Sequence, residues 1–120
     1  RCPAVTALDL IDVESRALEA ARANVTDPRA TFHWLDLTSA PAPAIYDSIV
    51  CNPPFHAGRA AQPSLGQAVI AAAARALRPG GRLVLVANRG LPYEASLAAD
   101  FASVETLADN NKFRVTLAVR

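Results

Sequence analysis

The 120-residue sequence is short of glycine and cysteine, nearly without lysine, and wholly without methionine. Its five glycines are Gly58, Gly66, Gly80, Gly81 and Gly90, and no two of them stand in a G-x-G arrangement. A dinucleotide fingerprint of closely spaced glycines is therefore excluded within these residues. The two cysteines, Cys2 and Cys51, fit neither a metal-ligand spacing nor a disulfide framework, and Cys51, inside an apolar run, reads as a small buried side chain. No apolar run approaches the ~20 residues that cross a bilayer. No charged stretch leads into an apolar one at the start of the sequence, and a soluble, reducing, cytoplasmic setting is the expectation. Of twelve Lys and Arg residues only Lys112 is a lysine. Planar guanidinium groups suit phosphate, yet the same bias can simply reflect the composition of the source. A net charge of +1 does not announce a nucleic-acid binder.

What is present is a globular balance, 52% hydrophobic and 19% charged. Residues 1–120 are enough for one domain, burying about two-thirds of the unfolded surface. Val5 to Ile11 (VTALDLI) predicts a strand, and from Val13 the period changes to helical, with Ala17, Leu18, Ala21 and Val25 recurring on one stripe until Pro28. Thr31 to Leu35 predicts a second strand, and Ser48 to Cys51 a third, after the loop APAPA from Ala40 to Ala44. A helix from Pro63 to Leu77, with Leu65, Val69, Ala73 and Leu77 spaced by four, stops at Arg78-Pro79-Gly80-Gly81, where a glycine supplies a positive-φ cap. Arg82 to Ala87 is apolar on both faces, as in a covered parallel sheet. A helix from about Pro92 to Phe101 follows. Val104 to Ala108 and Phe113 to Val119 flank a polar turn, Asp109 to Lys112, and read as an antiparallel hairpin. The alternation predicts a doubly wound α/β sheet with that hairpin at one edge.

Ligands of open α/β sheets bind beyond the carboxyl ends of the strands. The first strand runs into Asp12, the second into Asp36, the third into Asn52-Pro53-Pro54-Phe55-His56, and the fourth into Asn88-Arg89. Asp12 suits either a carboxylate for the hydroxyls of a ribose or a helix N-cap. Asp36 suits either an acceptor for an exocyclic amine or an ordinary loop aspartate. In the NPPF tetrad, each residue before a proline is pushed towards extended geometry, and two amide donors are lost in succession. An Asn side-chain oxygen and a main-chain carbonyl can then aim at one –NH2 group and direct its lone pair outward. Phe55 offers a flat surface for a base, a contact worth ~1–3 kcal/mol. The alternative is a proline-rich strand exit with Phe55 in the core.

These residues resemble a known family. NPPFH with a following glycine, then VANR, LPY and NNKF in that order, is similar to the class I S-adenosylmethionine-dependent methyltransferases, and in particular to the bacterial ribosomal RNA guanine-N2 methyltransferases. The resemblance implies a Rossmann-like methyltransferase fold, with S-adenosyl-L-methionine as cofactor and ribosomal RNA or a ribosomal subunit as partner. It implies that Asp12 and Val13 meet the cofactor's ribose, that Asp36 and Leu37 meet its adenine, and that Asn52 also borders the cofactor. Asn52, Pro53, Pro54 and Phe55 would be catalytic, the first two accepting from the guanine 2-amino group and Phe55 stacking on a base flipped out of its helix. His56 would line the pocket, and Arg59 and Arg89 would hold RNA phosphates, each with an ordinary surface residue as the other reading.

The sequence also departs from the family pattern. There the first strand, its helix and a Gly-rich loop precede the position of Asp12, and the sheet order is 3-2-1-4-5-7-6. Without the central first strand the 3-2 pair and the 4-5-7-6 set would lose their shared neighbour, leaving two edges ~9–10 Å apart. The expectation is a partial catalytic domain over residues 1–120, completed by a missing N-terminal segment or another chain. A non-catalytic fragment unable to bind cofactor is the competing class. Methylation of a protein glutamine or a DNA adenine is a variant of the first reading. A nicotinamide oxidoreductase shares the fold type but does not explain NPPF.

Overall fold

The computed structural model describes residues 3–53, 56–57, 60–61, 63–89 and 91–120. The chain divides into two compact units, Arg1–Ala40 and Pro41–Arg120.

In the first unit, β1 (Leu8–Asp12) and β2 (Ala30–Trp34) form a parallel pair, with Leu10 opposite Phe32 and Asp12 opposite Trp34. The strand starts later than the apolar letters suggest, and Val5 to Ala7 lead into it. Helix α1 (Ser15–Asn24) connects the strands and buries Leu18, while its Arg22 guanidinium lies 5.6 Å from the centre of the Phe32 ring. Period two then puts Leu8, Leu10, Asp12, Ala30, Phe32 and Trp34 on the face towards α1, and Asp9, Ile11, Thr31 and His33 on the other. On that second face His33 Nε2 lies 3.2 Å from Asp9 Oδ1. Arg29 clamps the Asp27 carboxylate from Nε and Nη2 and reaches the Val5 carbonyl from Nη1 at 2.6 Å, tying the lead-ins of both strands together.

The second unit carries a four-stranded sheet ordered β3-β6-β8-β7. Strand β3 (Tyr46–Cys51) runs parallel to β6 (Leu77–Asn88), and the hairpin of β7 (Ser103–Asp109) and β8 (Phe113–Val119) continues the sheet antiparallel, with β7 outermost. This is the 4-5-7-6 order that the resemblance implies, and the β1–β2 pair is its 3-2 neighbourhood. Asn110 makes the hairpin turn, its Oδ1 accepting from the amides of Lys112 and Phe113 at 2.8 Å each. A short ladder pairs β4 (His56–Ala57) with β5 (Ala60–Ala61).

Two helices cover one face of the sheet. α2 (Pro63–Ala76) starts on a proline, whose missing amide is free at a helix start. α3 (Glu94–Asp100) follows β6. The core joins Ile70, Ala73 and Ala74 of α2 with Leu77, Leu83, Leu85 and Ala87 of β6, Tyr93, Leu97 and Phe101 around α3, and Ala118 of β8. The inward stripe of α2 is thus set by Gly66, Ile70, Ala73 and Ala74 rather than by Leu65 and Val69, which are only half-buried. Beyond α2 the chain becomes strand at once. Gly80 takes φ +80°, and a Cβ on Gly81 would lie 2.8 Å from the Arg78 carbonyl, so this turn needs both glycines. Arg120 secures it by exchanging main-chain bonds with Gly80 and Gly81, and its guanidinium donates to the Leu77 carbonyl. None of the helices among the described residues is long and apolar enough to cross a membrane.

Candidate active site

Each parallel strand ends where the sequence places a polar residue. In the first unit Asp12 is the last residue of β1 and Asp36 lies two residues past β2. The register puts both at the carboxyl end of the pair, and the Asp12 carbonyl accepts from the Leu35 amide at 3.0 Å. Asp12 is half-buried. Its Oδ1 accepts from the Glu14 amide at 2.9 Å, a local turn that sets up the helix without entering it. The N-cap position belongs to Glu14, which makes no side-chain cap bond. Asp12 is therefore not the cap, and among the described residues its second oxygen takes no hydrogen bond.

Asp36 is used differently. Its Oδ1 accepts from the Thr38 hydroxyl at 2.6 Å and the Thr38 amide at 2.9 Å, while its carbonyl takes the amides of Ser39 and Ala40. The hydroxyl bond, then the amide bond, hold its carboxyl below the usual carboxylate range. It is an exposed loop aspartate, with the Ser39 side chain a lesser partner, and Leu37 beside it is half-buried. A nucleoside presents two vicinal hydroxyl donors and an amine donor. The Asp12 and Asp36 carboxylates are acceptors suited to such groups.

Sequence reasoning missed Trp34, the one tryptophan of the chain. Its indole N–H donates to the Val13 carbonyl at 2.7 Å, while the residue remains 72% exposed. The signal was available: an aromatic two residues before the strand-end aspartate, in register with Asp12.

In the second unit, Asn52 leaves β3 exposed and Pro53 is buried. Pro54, Phe55 and Arg59 lie outside the described residues. The backbone of His56 opens β4, pairing with Ala61, and its side chain lies outside the description. Just before the motif, Cys51 packs against the core, and burial pushes its thiol up to about 11. Tyr93, from the LPY segment, is 3% exposed, and among the described residues its hydroxyl has no hydrogen-bond partner. Burial, then the neighbouring Cys51, raise the Tyr93 phenol above its ordinary value. A Cβ on Gly66 would lie 1.9 Å from that hydroxyl, so glycine is what lets α2 accept the ring.

Arg89 follows β6 and is half exposed, but it is not unengaged. Its Nε lies 3.1 Å from Asp109 Oδ1, and its amide donates to the Lys112 carbonyl at 2.8 Å. Arg114 extends the same network to Asp109 Oδ2 at 3.5 Å and Glu94 at 3.0 Å. Arg89, Arg114 and Glu94, with Asn88, Leu91 and Tyr93, border a small cavity of about 70 Å³ whose lining does not include Asn52.

This arrangement has counterparts among known proteins. The Methyltransferase small domain family matches residues 1–117, and the chain belongs to that family. It is 39% identical over 119 residues to ribosomal RNA large subunit methyltransferase G of Shewanella amazonensis, a match covering 94% of the chain and 31% of the relative. It is 49% identical over 75 residues to ribosomal RNA small subunit methyltransferase C of Chromohalobacter salexigens, covering 62% of the chain and 22% of that protein. Among solved structures, the T. thermophilus 16S rRNA N2 G1207 methyltransferase in complex with AdoMet and guanosine superposes with a TM-score of 0.77 at 28% identity. That match covers 95% of this chain and 31% of the other. The chain thus spans about a third, or less, of the length of these relatives.

Proposed function

We propose that the chain carries out S-adenosylmethionine-dependent methyl transfer to a planar exocyclic amine, namely N2 of a guanine in ribosomal RNA. The observation that carries this reading is Asn52-Pro53 at the carboxyl end of β3 in a sheet ordered β3-β6-β8-β7. S-Adenosylmethionine supplies a methyl group on a sulfonium, an electrophile that needs only a lone pair in line with it. In this reading the Asn52 side-chain oxygen and the Pro53 carbonyl accept the two protons of the amine, which points its lone pair away from the protein wall. The nitrogen–carbon bond forms as the sulfur–carbon bond breaks, and the amine proton is lost to solvent afterwards, so no strong base is needed. Pro54 and Phe55 complete the clamp, Phe55 as the stacking surface, with His56 at its rim. Asp12 and Val13 hold the cofactor ribose, and Asp36 and Leu37 hold the adenine. Arg59 and Arg89 take RNA phosphates, Arg89 only by exchanging its Asp109 partner for one.

Residues 1–120 are in this reading part of a catalytic domain whose first strand and glycine-rich loop come from elsewhere, and the enzyme works in the cytoplasm, where ribosomes are made. The similarity to guanine-N2 and ribosomal RNA methyltransferases supports guanine over a protein glutamine or a DNA adenine as acceptor.

The test uses the full protein. Asn52→Ala lowers methyl transfer to ribosomal RNA by about a hundredfold or more, the range seen when one transition-state contact is removed. S-Adenosylmethionine affinity stays within a few-fold. Asp12→Ala does the reverse and weakens cofactor binding first. A large affinity loss in Asn52→Ala, or unchanged binding in Asp12→Ala, rules out these roles.

A further inference from the structure

We infer that Trp34 is a positioning residue for the nucleoside part of the cofactor, fixing the Asp12–Val13 turn through its indole N–H. The inference rests on the cofactor reading given under Proposed function and adds to it a residue outside the motifs.

Three observations in the first unit meet at this point. The β1–β2 register sets Trp34 directly opposite Asp12, on the same face of the ladder. The indole N–H donates to the Val13 carbonyl at 2.7 Å, across 21 residues of sequence. The Val13 side chain is 57% exposed, and Trp34 is 72% exposed. A large aromatic ring left so far in water contributes little to a core. Among the described residues, the one hydrogen bond of its side chain goes to the turn that presents the Asp12 carboxylate.

That turn has little else to hold it. The Asp12 carboxylate bonds forward to Glu14, the Asp12 carbonyl takes the Leu35 amide, and α1 begins without a side-chain cap. Val13, between them, is anchored to β2 by the indole. With the anchor in place, the open Asp12 oxygen and the exposed Val13 side chain keep a fixed relation to the end of β2, where Asp36 stands. Without it, Val13 can rotate and the carboxylate loses its aim. The ring edge is tied down while its face stays open, so a purine ring arriving beside Val13 changes the environment of the indole.

The experiment is titration of S-adenosylhomocysteine into the full protein, followed in parallel by calorimetry and by tryptophan emission, for wild type and for Trp34→Phe. The variant keeps a ring and loses the N–H. The emission difference between the two proteins isolates this indole. In wild type the emission should change with the same midpoint as the calorimetric signal. Trp34→Phe should weaken binding roughly three- to tenfold, the worth of one hydrogen bond, with kcat at saturating cofactor unchanged and the melting temperature close to wild type. Calorimetric binding without an emission change overturns the inference and leaves the cofactor reading intact. An emission change with unaltered affinity in Trp34→Phe also overturns it, because the ring is then a neighbour and not an anchor. If wild type shows no calorimetric binding, the cofactor reading fails and this inference fails with it.

Discussion

The two faces of the four-stranded sheet are built from different letters and meet different surroundings. On one, Leu83, Leu85, Thr116 and Ala118 are buried under α2 and α3. On the other, the register lines up Val50, Val84 and Leu117 across three strands, and Val50 is 77% exposed. On β8 the apolar Phe113, Val115, Leu117 and Val119 share that less covered face, while Arg114, Thr116 and Ala118 are on the helix side with Leu83 and Leu85 of β6. The covering helix α2 is rich in alanine and carries Gly66, so it approaches closely. The more continuous apolar row of a strand is therefore not always the one that the helices bury.

Five substitutions sharpen this contrast, beginning with the largest effect. Leu83→Ala, at a position with no exposed surface, should lower unfolding free energy by about 2–5 kcal/mol in denaturant titration. Val50→Ala on the opposite face should cost below about 1 kcal/mol. Equal losses at the two sites would mean that the faces are covered alike. Gly66→Ala tests the closeness of the cover. Helix propensity alone favours alanine by about 1 kcal/mol, but the new Cβ meets the Tyr93 ring, and overpacking should give a net loss of about 1–3 kcal/mol. Tyr93→Phe, which removes an unpaired hydroxyl, should in contrast lie within about 1 kcal/mol of wild type. The last effect is alkaline. Because burial raises the Cys51 thiol from 9.0 to about 11, the folded state keeps a proton that the unfolded state has released. Stability contributed by Cys51 is then full below pH 9 and declines as pH rises towards 11. Cys51→Ala should flatten part of that decline in melting temperature, the rest belonging to Tyr93, and an unchanged slope would place the thiol in water.

Much of the architecture was legible because strands and helices here differ in period and end on turn residues. The hairpin turn at Asn110 follows from local chemistry and stands where the letters put it, whereas α2 stops at Ala76, ahead of the expected glycine cap, and Gly80 uses its positive φ inside β6. The stripe of α2 was misjudged by one residue, since a helix made largely of alanine offers few polar positions to mark its outside. Strand β6 begins earlier than Arg82 because Leu77 to Gly81 are drawn into the sheet by Tyr46 and Arg120, partners 31 and more residues away in sequence. The positions of Asp12, Asp36 and Asn52 at or just past strand ends were readable. How their oxygens are spent was not, for Thr38 and Glu14 decide that through geometry. The anchoring of Val13 by Trp34 and the packing of Tyr93 on Gly66 are contacts between distant residues, and no periodicity announces them.

The ion pairs carry a last consequence, for salt. Arg29, Arg78, Arg89 and Arg114 each sit beside a carboxylate of the same chain. A cation that must leave a carboxylate to meet a phosphate trades one anion for another, and displaces fewer bound ions from the nucleic acid than a free one would. Under the function proposed above, attraction for RNA through such side chains would fall less steeply with ionic strength than twelve basic residues suggest. Their contribution would be choice of geometry, since only a phosphate placed better than Asp109 could draw Arg89 away.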